Sequence, residues 1–344
     1  MPLNPAFAPI FLTLTAFGWL QLHGPAATKG LEDLRPACAA LENPYRVVYV
    51  SWGGKTVNGM LCVLNTFFAT LLAQPDGKDL TAYFLATFGP IFVLVPLLEA
   101  TRPGRSILLA LPNLFGMAAQ LLGAGVAIPA YFLLFALGRA DTSFGSQEGV
   151  ERALVSTFVG FGIPSLRIIS NQSPSALAVF QIFPLFAMGA GSLWGSLRRA
   201  SRATGTQRGA YMLAQTGFTL IAALSGYAHY KYFVPRFLDA PMGAELVEFL
   251  KPQYSLPFSG STGGPRAAPD LNEAVLDFIK WDFVCTAAAI VIGSIFTLNN
   301  GLDLAAFVLA SVVAGPGAGC ALLFALRESR IEEWRLAVEN AKKE

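Results

Sequence analysis

Three ionisable side chains fall close together inside the apolar stretch LNEAVLDFIKWDFVCTAAAIVIGSIFTLNN, residues 271–300: Asp277, Lys280 and Asp282. Asp277 and Lys280 are three apart and can pair on one helix face, as at any solvated helix start. Asp282 lies about 160° from Lys280 around the helical wheel, on the face of Val275, Phe278, Cys285 and Ala289. With no cation on its own face, it either meets one from another helix, with Arg102, Arg167 and His229 as candidates, or keeps its proton. Apolar surroundings favour the neutral carboxyl, and a neutral carboxyl is a proton donor.

The same weighing applies to the other polar side chains. Glu99, in LVPLLEATRPGR, has Arg102 three residues on; an end-of-helix ion pair is the simpler reading and catalysis the sharper one. Trp281 suits an interfacial anchor, and equally a π face offered to a cation. Other chemistries lack their motifs. No GxxxxGK[ST] loop occurs, and GSTGGP has neither the lysine nor a following helix. GAGSLWG and GPGAGC lie in apolar runs, where close packing of small residues accounts for them. The only histidines are His23 and His229, and no Asp-rich DDxxD-like motif is present, so neither a histidine-held metal nor magnesium-assisted diphosphate ionisation is expected. Cys38, Cys62, Cys285 and Cys320 are scattered with no CxxC, a spacing that predicts neither a disulfide framework nor a zinc site.

The elements that must position these groups are written in the composition. Of 344 residues 54% are hydrophobic and 13% charged, and the mean hydropathy is +0.52; this is the signature of an integral membrane protein. A net charge of +2 without a long basic run excludes nucleic acid as a partner. About nine apolar runs approach the length of a span, eight being possible: about 6–22, 56–74, 80–98, 107–137, 152–169, 175–197, 210–230, 276–298 and 302–325. The first lacks the basic flank of a cleaved signal peptide and is read as a span. The fourth is too short to cross twice, and Pro129 is expected to kink it.

The expected architecture is an all-α, polytopic helix bundle. It comprises a single transmembrane domain over 1–330, a long loop at about 231–275 and a charged cytoplasmic tail at 331–344. The loop contains PQYSLPFSGSTGGPRAAP and suits a spacer or a lid. The tail, RESRIEEWRLAVENAKKE, alternates charge at helical spacing. Nine crossings put the basic segments at about 23–55, 99–106, 167–174, 231–275 and the C-terminus on one face, cytoplasmic by the positive-inside rule, against the dissent of SLRRASRATGTQRG.

That alternation also sends Gln21, His23, Asn58, Glu99, Asn113, Arg167, Gln181, His229 and Asp282 to one leaflet. Each alone reads as an interfacial residue; together they predict a shared cavity open to that leaflet.

Five phrases, YFLATFGPIFVLVPLLEATRPG, GAGVAIPAYFLLFAL, ALAVFQIFPLFAMG, ALSGYAHY and AVLDFIKWDFVCTAAAIVIGSI, carry a family resemblance in their order, from about residue 80 to 300. The chain resembles the fungal membrane-bound terpene cyclases of meroterpenoid pathways, of the ascofuranone and macrophorin type. The resemblance implies cyclisation of a farnesyl chain on an aromatic or polyketide head group. Protonation of a terminal epoxide or olefin starts the reaction, no cofactor is used, and the location implied is the endoplasmic reticulum. The partners implied are a lipophilic prenylated substrate and membrane lipid. The shared leaflet then assigns roles: Asp282 the proton donor, Glu99 the second acid or final base, His229 a hydrogen-bond partner or shuttle, Trp281 a cation stabiliser and Gln181 an orienting amide, with Arg102, Asn58 and Asn113 around the substrate. A small-molecule transporter, which wants discontinuous helices and polar groups at mid-depth, and a non-catalytic pathway scaffold are the rival readings.

Overall fold

The computed structural model describes residues 5–24, 31–39, 43–45, 54–104, 106–138, 145–201, 205–235 and 270–342, and every regular element among them is a helix. The loop phrase PQYSLPFSGSTGGPRAAP lies outside these residues. In chain order the helices are α1 (Ala8–His23), the short α2 (Leu34–Ala39), α3 (Gly54–Ala73), α4 (Pro75–Thr87) and α5 (Gly89–Ala100). Next come α6 (Pro112–Leu122), α7 (Ala124–Leu137), α8 (Gln147–Val155) and α9 (Ile163–Ser170), the last two joined by the π-helical turn Ser156–Gly162. The remainder are α10 (Pro174–Gln181), α11 (Phe183–Ala200), α12 (Gln207–Ala228), α13 (Leu271–Ile295), α14 (Gly301–Ala314) and α15 (Pro316–Ala341).

Local chemistry sets these boundaries. Proline occupies the first turn of α4, α6, α10 and α15, where its missing N–H is no loss. Ser146, Ser173, Thr206 and Asp270 each accept a backbone N–H at a helix start, and Asn300 with Asp303 forms a capping box. Between the helices, rings such as Phe88, Phe161, Phe183, Phe218 and Phe324 are fully buried. Leu12, Trp19, Leu166, Leu193 and Val312 are exposed on the outside, as lipid-facing side chains are.

Four helical rods are long and apolar enough to cross a membrane: Pro5–His23, Gly54–Ala73, Pro75–Ala100 and Gln147–Ser170. A fifth is reached if Pro174–Gln181 and Phe183–Ala200, bent by 70°, count as one. Nine crossings do not emerge, and three features explain the difference. First, α1 and α3 finish at the same end of the bundle. His23 and Phe67 both pack on Phe278, and the Gln74 side chain donates to the Asn272 carbonyl at 3.1 Å.

Second, the run at 107–137 folds back on itself at Gly123, so that Phe115 meets Tyr131 with ring centroids 5.2 Å apart. Gly123 has φ +89, a backbone that side chains other than glycine's rarely adopt, and the break falls there, not at Pro129, which stays inside α7. Third, the run at 302–325 does the same at Gly315, φ +86, where Gly319 packs on Phe307 and Ser311. The expected tail is the far part of α15, continuous with the buried part.

The bundle therefore has two distinct ends. One gathers His23, Gln74, Asn272 and Gln172, which donates to the Leu72 carbonyl at 3.0 Å. A disulfide joins Cys38 of α2 to Cys62 of α3, with Cα atoms 6.0 Å apart, against the expectation of none. The sequence spacing hid this pair, since α2 and α3 are brought together only by folding. At the other end Thr101 meets Gly145 and Gly149, Gln147 accepts from the Thr206 amide, and Phe7 stacks on Phe296. Both glycine hinges lie about halfway between. Gly123 touches Asp282, well inside the 25-residue α13, and Gly317 touches Thr87, midway along the 26-residue rod Pro75–Ala100.

Candidate active site

A cavity of about 570 Å³ lies between α1, the rod Pro75–Ala100, α3, α10 and α13. Its walls are mostly aromatic: Phe67, Phe68, Phe84, Phe92, Phe161, Phe180, Phe183 and Phe278. Exposed Glu32 and Arg35 line it where it opens. Asp282 and His23 line its wall, with Gln120 and Thr81 nearby. That volume lies within the range of small-molecule sites, which are likewise apolar with a few placed polar groups.

Asp282 is held by the hinge. Its Oδ1 accepts the Gly125 amide at 2.7 Å, at the open start of α7, where amides have no intrahelical acceptor. Close backbone approach makes this possible. A Cβ on Gly125 would meet Cys285 at 2.9 Å, and one on Gly18 of α1 would meet the Gly125 carbonyl oxygen at 2.3 Å. A Cβ on Gly123 would stand 2.6 Å from Asp282 Oδ1. The carboxyl is 6% exposed and has no guanidinium or imidazole partner among the described residues. His23 donates from Nε2 to the Leu122 carbonyl at 2.8 Å, on the same hinge.

Of the other site residues expected from sequence, none lines this cavity. Glu99 and Arg102 are at the opposite end of the bundle, in a buried four-residue ion cluster. Arg102 donates to Glu99 at 3.0 Å and to both oxygens of Glu328 at 2.6 and 2.7 Å, and Arg327 donates to Glu99 at 2.6 Å. The cluster bolts the rod Pro75–Ala100 to α15. His229 packs under the second hinge, where a Cβ on Gly315 would meet its ring at 2.9 Å; it shares a 3.4 Å contact with Tyr83 and stacks on Phe233. Trp281 points away from the cavity, edge-on to Phe17. Gln181 is buried at the bend between α10 and α11 with neither end of its amide paired. Asn58 bonds within its own helix, to the Gly54 carbonyl, and Asn113 stands beside a small void near Phe92 and Phe183.

The single-leaflet convergence is therefore replaced by a split: Asp282 and His23 on one wall, Glu99 and Arg102 at the far end. Crossing parity could not show this, because each glycine hinge, and the finish of α1 and α3 at one end, changes the parity. From sequence His23 belongs to the expected shared cavity but carries no assigned role, while Glu32, Arg35 and Gln120 carry no signal. The GAG at 123–125 and GPG at 315–317, each a glycine pair opening a helix, were the available signal.

Comparison with known proteins gives the geometry its context. The CtvD domain family matches residues 7–331. A terpene cyclase, ctvD, of Aspergillus terreus is 21% identical over 301 residues, covering 80% of this chain and 82% of that protein. No solved structure matches. A family match over nearly the whole chain settles membership: the protein belongs to the CtvD domain family, the terpene cyclase family that its sequence resembles.

Proposed function

We propose that the protein is a membrane-embedded cyclase that folds the farnesyl chain of an aromatic or polyketide intermediate into rings, with Asp282 as the proton donor. The observation that carries this reading is the position of Asp282: a buried carboxyl on the wall of an aromatic cavity, bonded to the amide that opens α7.

The chemistry follows from that placement. Asp282 gives its proton to the oxygen of a terminal epoxide, the C–O bond at the more substituted carbon breaks, and the chain's alkenes attack in turn to form C–C bonds. An olefin substrate takes the proton on carbon and proceeds likewise. The carboxylate left behind is received by the Gly125 amide and the positive end of α7. The ring faces stabilise the travelling cation. His23, whose Nε2 is engaged by Leu122, offers Nδ1 for the proton lost at the end. The product is an isomer of the substrate.

The test is conversion of a farnesylated aryl epoxide, and of its non-epoxidised parent, by membranes holding the protein in EDTA. An isomer of unchanged mass from either one, absent with Asp282→Asn, supports the reading. No isomer from both, with folded protein verified, refutes it. Proton-coupled transport is a second reading, favoured by one observation: two discontinuous helix pairs whose breaks lie mid-bundle beside Asp282 and His229. Substrate that moves between compartments unchanged would select it.

We also infer an endoplasmic reticulum membrane with the end that holds Gln74 and Asn272 in the lumen and the C-terminus in the cytoplasm. Disulfides persist in oxidising compartments. The opposite end holds Arg198, Arg199, Arg330 and Arg335, so the dissenting basic loop falls on the same side as the C-terminal tail. In intact microsomes a membrane-impermeant thiol reagent should reach a cysteine placed at Lys342 and miss one placed at the exposed Ser170, beside Gln172. The reverse pattern overturns the orientation.

A further inference from the structure

A second hollow, about 850 Å³, lies on the outer side of the bundle between the arms 159–167 and 175–193. It is walled by Val159, Ile163, Val179, Leu185, Phe186 and Leu193, all exposed except the half-buried Val179. Its one charged residue is Arg167, which is exposed and has no ion-pair partner among the described residues. Arg167 stands near the end that holds His23 and Gln74, since Gln172, five residues on, bonds Leu72.

Only one layer of side chains separates this groove from the inner cavity. Gly160, Val179 and Ile182 face the groove, while their chain neighbours Phe161, Phe180 and Phe183 face the cavity. The three rings form a partition, with Phe183 5.0 Å from Phe161 and 6.0 Å from Phe180. At the partition's bend sits Gln181, 2% exposed and unpaired at both ends of its amide. A buried amide in that state destabilises the closed arrangement.

We propose that the outer groove is the docking site for the enzyme's own substrate arriving from the bilayer, an isoprenoid-chained amphiphile with an anionic head, which then passes its chain through the Phe161, Phe180 and Phe183 partition. The inference rests on the cyclase reading. Arg167 holds the head by charge, the apolar arms hold the chain, and the Gln181 amide gains a partner as the polar part passes. Arg167 and the exposed mouth residues Glu32 and Arg35 are at the same end, so the head stays in one interface throughout.

The probe is a farnesylated benzoic acid with a diazirine on its chain, photolysed with the protein in phosphatidylcholine nanodiscs. Labelling is expected at 159–193 on groove-facing residues. Gly189 lines the groove with open space at its Cβ position; Gly189→Trp adds an indole from that open position and should lower labelling about tenfold. Arg167→Gln should weaken labelling by the acid and spare that by its methyl ester. Labels confined to Phe84 and Phe278 and unchanged by Gly189→Trp overturn the proposal. So does competition by phosphatidic acid equal to that by unlabelled farnesylated acid, which would mark an ordinary lipid site. Labelling needs no turnover, so groove labelling with no isomer formed rejects the cyclase reading, whereas isomer formation with no groove labelling rejects the entrance.

Discussion

Two helical hairpins in this protein turn on the same device and serve different ends. At Gly123 and at Gly315 an apolar run breaks on a glycine at positive φ, reverses, and starts a new helix about halfway along the bundle. Beside Gly123 stands Asp282, and beyond it a cavity; beside Gly315 stands the His229 ring, packed on Phe233 and outside that cavity's walls. The backbone geometry is common to both, so it is the free volume next to the hinge that makes one of them a candidate for chemistry. A polar group at mid-bundle marks a site only when a substrate can reach it.

The strongest way to break that comparison is Asp282→Asn. Asparagine keeps an oxygen to accept the Gly125 amide, so folding should survive while isomer formation per folded molecule falls about 10³-fold, roughly 4 kcal/mol of barrier. A variant with full turnover would dissolve the distinction between the hinges. Glu99→Ala sharpens it from outside, because it leaves Arg102 and Arg327 buried without their shared carboxylate. Unfolding should become easier by about 3 kcal/mol, read as a lower midpoint in detergent, with turnover of the folded fraction retained. Lost turnover in well-folded Glu99→Ala would return Glu99 to the chemistry.

Gly123→Ala and Gly315→Ala test the hinges themselves. Each should destabilise by about 1 to 3 kcal/mol from backbone strain. Only the first should also cut turnover, about tenfold, since its methyl must displace the Asp282 carboxyl. Equal catalytic losses from both would show that the two hinges act as a unit. The smallest effect is expected from His229→Phe, which keeps the ring stack on Phe233 and should change turnover within about twofold.

Much of the local structure was legible beforehand. Helix starts follow Ser173, Asp270 and Asn300, whose side chains cap nearby amides whatever the fold around them. The isolation of Asp282 from Lys280 was also legible, because helical periodicity separates them. The partners were not. Glu99 and Arg102 look alone with each other in sequence, yet their cluster is completed by Glu328 and Arg327 more than 200 residues away.

The sequence by itself determined that the chain is helical and made for a membrane, which helix starts are capped, and that one carboxyl in α13 has no neighbour to neutralise it. These are consequences of composition and of contacts within a few residues. Tertiary structure alone decided which run doubles back, which end each polar group occupies, and that Asp282 meets both a helix start and the aromatic cavity while His229 meets a helix start away from that cavity. A glycine's torsion depends on what packs around it. A single reversal inside an apolar run moves every later residue to the other end of the bundle, and no pattern of hydropathy registers it.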